Sequence, residues 1–158
     1  MSVGILLLSH NGIASSLLNI AKQIWQSPPD NIDVLEVKFD VDTEKLSQTI
    51  LEKTSHLDQG DGVLMLTDLV GATPCNLAAK LCNDKLLMVT GLNLPMLLRS
   101  CNYVEMPLTE LADKAIALDP ITISSLHNLG WVHLLAGNFE DSEAAFTEAL
   151  DLHPNWIW

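Results

Sequence analysis

The stretch Gly62-Val-Leu-Met-Leu-Thr-Asp-Leu-Val-Gly-Ala-Thr-Pro-Cys-Asn76 decides the fold. Val63–Thr67 is a short, nearly continuous apolar run, the pattern of a strand buried on both faces. Asp68-Leu-Val-Gly71-Ala72 then makes a polar, glycine-bearing turn. Thr73-Pro74 reads as a helix start, with threonine as N-cap and proline at the first helical position, and the helix runs to about Cys82. A strand that enters a helix through so short a turn is half of a β–α–β unit.

The same pattern repeats on either side. Val3–Leu8, Val34–Phe39 and Leu86–Thr90 are further apolar runs. Val34–Phe39 alternates through Glu36 and Lys38, which places it at a sheet edge. Ile13, Leu17, Ile20, Ala21 and Ile24 recur at helical spacing, with Pro28-Pro29 as a stop. Leu46, Ile50 and Leu57 stripe a second helix that Asp42 or Thr43 caps, and a fourth helix starts at Leu94-Pro95 and covers Met96–Cys101. Alternation of strand and helix predicts an α/β fold: an open, mostly parallel sheet of four or five strands with helices on both faces and right-handed crossovers.

Beyond residue 107 there is no strand signal, but there is a period. Ala115 and Ala149, Leu118 and Leu152, and Pro120 and Pro154 are each 34 residues apart. The pattern Leu126-x-x-Leu129-Gly130-x-x-His133, Gly137-Asn138-Phe139, Ser142-x-x-x-Phe146-x-x-Ala149 and Pro154 resembles one tetratricopeptide repeat, a helical hairpin. Leu126, His133 and Ser142 depart from its consensus, and a generic helical hairpin is the alternative. Residues 117–158 are therefore expected to form a helical segment distinct from a domain over 1–116. One repeat cannot cover Leu126, Leu129, Trp131, Phe139, Phe146, Trp156 and Trp158 by itself, so the tail is expected to pack on the α/β part, on a second copy, or on further repeats.

Composition narrows the function. Among 158 residues, 48% are hydrophobic and 18% charged, a globular balance. The net charge of −12, with seven lysines and the single Arg99, excludes a phosphate-neutralising basic stripe and argues against anionic membranes. Such a chain suits a basic protein partner instead. Cys75, Cys82 and Cys101 are too few and wrongly spaced for a disulfide framework or a metal knuckle, and read as small core residues in a reducing compartment. The N-terminus lacks a basic n-region, and no run reaches the ~20 apolar residues of a membrane span. The expectation is a cytoplasmic chain without membrane insertion.

Ligands of open α/β sheets bind beyond the C-terminal strand ends. There the first strand ends in Ser9-His10-Asn11-Gly12 and the third in Thr67-Asp68, so His10 and Asp68 fall on neighbouring tips. A carboxylate that accepts a hydrogen bond from one imidazole nitrogen fixes the tautomer and leaves the lone pair on the other. Gly71, Ala72 and Thr73, opening a helix, offer backbone donors for an anion. Nucleophile, orienter and anion cradle together suit a phosphorylated histidine, although a strand-tip histidine also serves structural roles. A kinase or phosphatase clamps phosphate with several Arg or Lys residues or a metal, and one arginine is too few. Walker A and G-x-G-x-x-G sequences are absent, and no cofactor or metal is expected. His56, His127, His133 and His153 read as solvated or structural.

Gly4-Ile-Leu-Leu-Leu-Ser-His10, the Gly62–Asn76 stretch and Gly91-Leu-Asn93-Leu-Pro95-Met96-Leu resemble the mannose-type EIIA domain of the bacterial sugar phosphotransferase system, over about residues 2–116. The resemblance implies a cytoplasmic, homodimeric phosphocarrier that takes phosphate from HPr and passes it to an EIIB partner, in transport or in regulation. It puts the phosphorylated histidine on His10, the supporting aspartate on Asp68 and the helix-opening hydroxyl on Thr73. The family reads His-Gly where this chain has His10-Asn11-Gly12. Two competing readings are a non-phosphorylated interaction module that docks partners through its helical tail, and a small hydrolase using the His10–Asp68 pair.

Overall fold

The computed structural model describes residues 2–25, 30–38, 40–116, 123–135 and 137–152. In chain order these form β1 (Gly4–His10), α1 (Ala14–Ile24), β2 (Ile32–Val37), α2 (Thr43–Leu57), β3 (Val63–Thr67), α3 (Thr73–Leu81), β4 (Leu86–Thr90), α4 (Leu94–Asn102), α5 (Leu108–Ile116), α6 (Ile123–Leu135) and α7 (Phe139–Leu152). The four strands form one sheet in the order β2-β1-β3-β4, and every pairing is parallel. The α/β expectation holds, with four strands. Phe39, Pro28-Pro29, His153 and Trp156–Trp158 lie outside the described residues.

The continuous apolar runs are dry on both faces. Ile5, Leu7, Leu64, Leu66, Leu87 and Val89 pack against α1, α4 and α5, while Leu6, Leu8, Met65 and Met88 pack against α2 and α3. Ile5, Leu6, Leu7 and Leu8 are fully buried, each worth roughly 1.5–3 kcal/mol relative to exposure. β2 is half-buried along most of its length and forms one edge, as its alternation predicts.

Helix ends follow local chemistry. Asp42 caps α2, accepting from the N–H groups of Glu44 at 3.1 Å and Lys45 at 3.3 Å. Asn93 caps α4 through the Met96 N–H at 2.9 Å. α3 differs by one residue from its expected start: Ala72 is the N-cap, and Thr73 and Pro74 are the first two helical residues. The proline still sits in the turn whose N–H groups need no helical partner, so the shift costs no hydrogen bond.

The tail is joined to the sheet. α6 packs on β4 and α5, and Val132 is 1% exposed within the core that covers Leu87 and Val89. α6 and α7 form a tight hairpin. A Cβ on Gly130 would come within 2.6 Å of the Phe146 ring, so glycine lets the two helices close. Ser142, a departure from the repeat consensus, donates its hydroxyl to the Gly130 carbonyl at 2.9 Å. Of the three packing modes expected for the tail, the one seen is against the α/β part.

Candidate functional site

β1 occupies the middle of the sheet, and the chain leaves it toward β2 on one side and β3 on the other. The tips of β1 and β3 therefore flank the topological switch point, where open α/β sheets have their crevice. Leu8 lies opposite Thr67, so Asp68 is one residue past that pair on β3 and His10 two residues past it on β1, on adjacent tips.

One carboxylate oxygen fixes the histidine twice. Asp68 Oδ2 accepts the His10 backbone N–H at 2.8 Å and meets the ring at Nδ1, 2.7 Å away. The other oxygen, Oδ1, accepts the N–H of Leu69 at 2.8 Å. Burial works against the charge on Asp68, but the hydrogen bonds from the His10 backbone and ring outweigh it, and its carboxyl lies below the ordinary value. An ionised Asp68 can only accept, so Nδ1 carries the proton and Nε2 the lone pair. The His10 side chain is 22% exposed and Asp68 9%. The ring keeps part of its surface at solvent, and its orienter is more covered.

The loop after His10 is held by two side chains, Ser9 and Glu36. Ser9 Oγ donates to the His10 carbonyl at 2.8 Å and accepts the Ala14 N–H at 3.0 Å. Glu36, at the tip of β2, accepts the Ser15 N–H at 2.9 Å and sits at the N-terminus of α1, whose own N-cap, Ile13, supplies no side-chain bond. The Ser15 backbone bond is the main cause that lowers the Glu36 carboxyl from its usual range. Glu36 was visible in the sequence only as a charge interrupting a strand; that it reaches across to α1 depends on the β1–β2 pairing. Gly12 takes the positive φ of this turn, +90°, and every described residue with positive φ is glycine. Asn11 thus follows His10 without adopting the left-handed conformation, and the changed order of residues leaves the turn unstrained.

Gly71, also at positive φ, turns the second loop toward α3. Asn76 Nδ2 donates to its carbonyl at 2.8 Å. The Ala72 N–H is directed to the Leu69 carbonyl at 3.3 Å, whereas Gly71 and Thr73 are exposed at the loop and at the start of the helix. Behind this loop an apolar cavity of about 450 Å³ lies between α3, β4 and the tail, with Cys75, Met88, Trp131 and Phe146 in its wall.

The other candidates are elsewhere. Arg99 lies over the Tyr103 ring, 5.9 Å from its centre. His56 is exposed at the end of α2. His127 accepts the Trp131 indole N–H at 2.9 Å, and burial lowers its pKa to about 4. Burial pushes the thiols of Cys82 and Cys101 up to about 12 and raises that of Cys75, as inert core residues require. Among the described residues no group of three His, Cys, Asp or Glu side chains is placed to hold a metal, and no helix is long and apolar enough to cross a membrane.

Residues 4–116 match the family described as the PTS system fructose IIA component, of EIIA-man type. This chain belongs to that family. Residues 124–156 match the tetratricopeptide repeat. Solved structures agree with the first assignment. The mannose/sorbose-specific IIA subunit of Enterococcus faecalis is 25% identical at a TM-score of 0.64, covering 73% of this chain and 87% of that one. The PTS IIA protein associated with the fucose utilization operon of Streptococcus pneumoniae is 27% identical at 0.61, covering 73% and 91%. EIIA from Streptococcus agalactiae, 22% identical at 0.64 over 78% and 92%, shares the fold. A 68-residue stretch is 34% identical to the transcriptional regulatory protein LevR of Bacillus subtilis; it represents 42% of this chain and 7% of LevR.

Proposed function

We propose that this EIIA-type chain is a cytoplasmic phosphohistidine carrier that accepts a phosphoryl group from HPr on His10 and passes it to an EIIB partner. The observation that carries the reading is the double hold of Asp68 Oδ2 on the His10 backbone and Nδ1. In the first transfer Nε2 attacks phosphorus, the Nε2–P bond forms, and the bond from phosphorus to the donor breaks with its electron pair left on the donor. Nδ1–H stays protonated, and the charge of the resulting imidazolium is met by Asp68. In the second transfer the same bond breaks toward the acceptor. Gly71 and the Thr73 N–H and hydroxyl supply donors for the phosphoryl oxygens at the start of α3. No cation of this chain is required, because the basic partner brings its own.

The LevR likeness supports a regulatory output for the same phosphorylation. A homodimer, which the family resemblance implies, would use a surface other than the β4 edge, where α6 sits. The test is incubation with phosphoenolpyruvate and the general phosphotransferase proteins. Acid-labile, base-stable phosphate on the chain supports the carrier. No incorporation in the folded protein would leave the interaction module, docking through its tail, as the better account.

A further inference from the structure

Behind the loop that follows Asp68, the α/β part and the tail do not close on one another. The cavity between them holds about 450 Å³, within the roughly 300–1,000 Å³ of small-molecule sites and many times the space of one water. Protein interiors are otherwise close-packed, so a gap of this size needs walls that hold their own shape. On the sheet side Cys75 and Met88 are buried, with their sulfurs 3.9 Å apart. On the tail side α6 is fixed to β4 by Asn128, whose Oδ1 accepts the Thr90 N–H at 3.1 Å and whose Nδ2 donates to the Thr90 carbonyl at 2.8 Å. Three rings stand together there. His127 and Trp131 have centres 6.3 Å apart at 74°, Trp131 and Phe146 6.4 Å at 90°, and His127 and Phe146 5.9 Å at 60°. The exposed lining residues Gly71, Asn76 and Leu150 mark the mouth.

This lining selects its occupant. Among the described residues no Asp, Glu, Lys or Arg lines the cavity, so a charged ligand would lose its water without gaining a partner. His127 adds no charge, because burial lowers its pKa to about 4. The Trp131 N–H is taken by His127 at 2.9 Å, so Trp131 offers the cavity a ring rather than a donor. Edge-to-face clusters accept a further ring in the same geometry, and sulfur sits well against a ring edge. An aliphatic molecule would use neither. At the mouth, Asn76 places one amide N–H on the Gly71 carbonyl and has a second N–H and an oxygen for a ligand hydroxyl. We propose that this cavity is a binding site for a small, uncharged aromatic molecule bearing a hydroxyl, held between the α/β part and the tail. Gly71 belongs both to its wall and to the loop before α3, so occupancy is felt at that loop whether or not His10 carries phosphate.

The test titrates 2-naphthol into the ¹⁵N-labelled full chain. Saturable binding to one site is expected, with shifts at the Gly71 and Asn76 amides and at the Trp131 indole. 2-Naphthoate, the same rings with a carboxylate, is expected to bind at least about tenfold more weakly. Ala79→Phe, which puts a ring into the cavity from α3, is expected to weaken 2-naphthol by about tenfold or more. Should that variant not fold, Phe146→Leu removes one ring of the cluster and is expected to weaken 2-naphthol severalfold. Absence of saturable binding, shifts confined to other surfaces, equal affinity for 2-naphthoate, or unchanged affinity in a folded variant would overturn the proposal. So would nuclear Overhauser contacts in the free protein to the Met88 methyl from another segment or a second copy, which would show the cavity already filled.

Discussion

Asp68 and Asn128 are both side chains that answer backbone groups at the C-terminal end of a strand, and they do opposite things. Asp68 has acceptors only. It takes the His10 backbone N–H and meets the ring at Nδ1, which leaves the lone pair on Nε2, the atom that attacks in the proposed transfer. Asn128 has a donor and an acceptor, and it closes the N–H and C=O of Thr90 completely. The first orients a ring at a strand tip and the second covers the end of a strand edge. The α/β part therefore contains every group the proposed reaction needs, while the tail supplies cover.

The largest expected effect is His10→Ala, which should abolish phosphate incorporation, while His56→Ala, His127→Ala, His133→Ala and His153→Ala remain labelled; label on His10→Ala would put the chemistry elsewhere. Asp68→Asn comes next. An asparagine can still accept from His10 but cannot balance an imidazolium, so transfer should slow by about 10²–10⁴-fold. An unchanged rate in stopped-flow transfer would separate the two groups.

The tail has its own sensitivity. His127 is held near a pKa of about 4 in the folded chain against 6.5 in the unfolded one. Between those values the unfolded chain binds the extra proton, so stability is full above about pH 6.5 and falls as pH drops toward 4, by roughly 1–2 kcal/mol once solvent screening of the partly exposed ring is counted. Protonation also removes the acceptor that Trp131 uses. Melting followed by tryptophan fluorescence should show this loss between pH 7 and 4.5, and His127→Gln should flatten it. Gly130→Ala, which presses on the Phe146 ring, should lower stability by about 1–3 kcal/mol in thermal melts while His10 is still phosphorylated. A variant that lost labelling while folded would show the tail to be part of the site. The smallest effect is on encounter: the association rate with HPr should fall as salt shortens the Debye length from ~10 Å at 0.1 M to ~3 Å at 1 M.

Much of the α/β part was legible because its signals are local. Continuous apolar runs mark strands buried on both faces, and the step from Thr67-Asp68 through Gly71 to Thr73-Pro74 marks a strand-to-helix turn within eight residues. That His10 meets Asp68 is legible because strand tips converge whenever such units assemble in parallel. Glu36 and Asn128 were not found, since each acts across elements. Glu36 reads as a solvent-facing charge until β2 is set beside the start of α1. Asn128 reads as an ordinary polar residue in a helix until α6 is laid against β4, and no period in the tail specifies that docking. The start of α3 was off by one residue because Thr73 and Ala72 are both compatible with a helix beginning at the proline.

The central claim, that Asp68 assigns the reaction to one ring nitrogen of His10, is tested most directly by the site of the phosphate. The chain is labelled with ¹⁵N-histidine, phosphorylated through phosphoenolpyruvate and the general phosphotransferase proteins, and examined by phosphorus and nitrogen NMR. A single phosphohistidine is expected, at His10, with phosphorus coupled to Nε2 and the proton kept on Nδ1. Phosphate on Nδ1, or on another histidine, would contradict it.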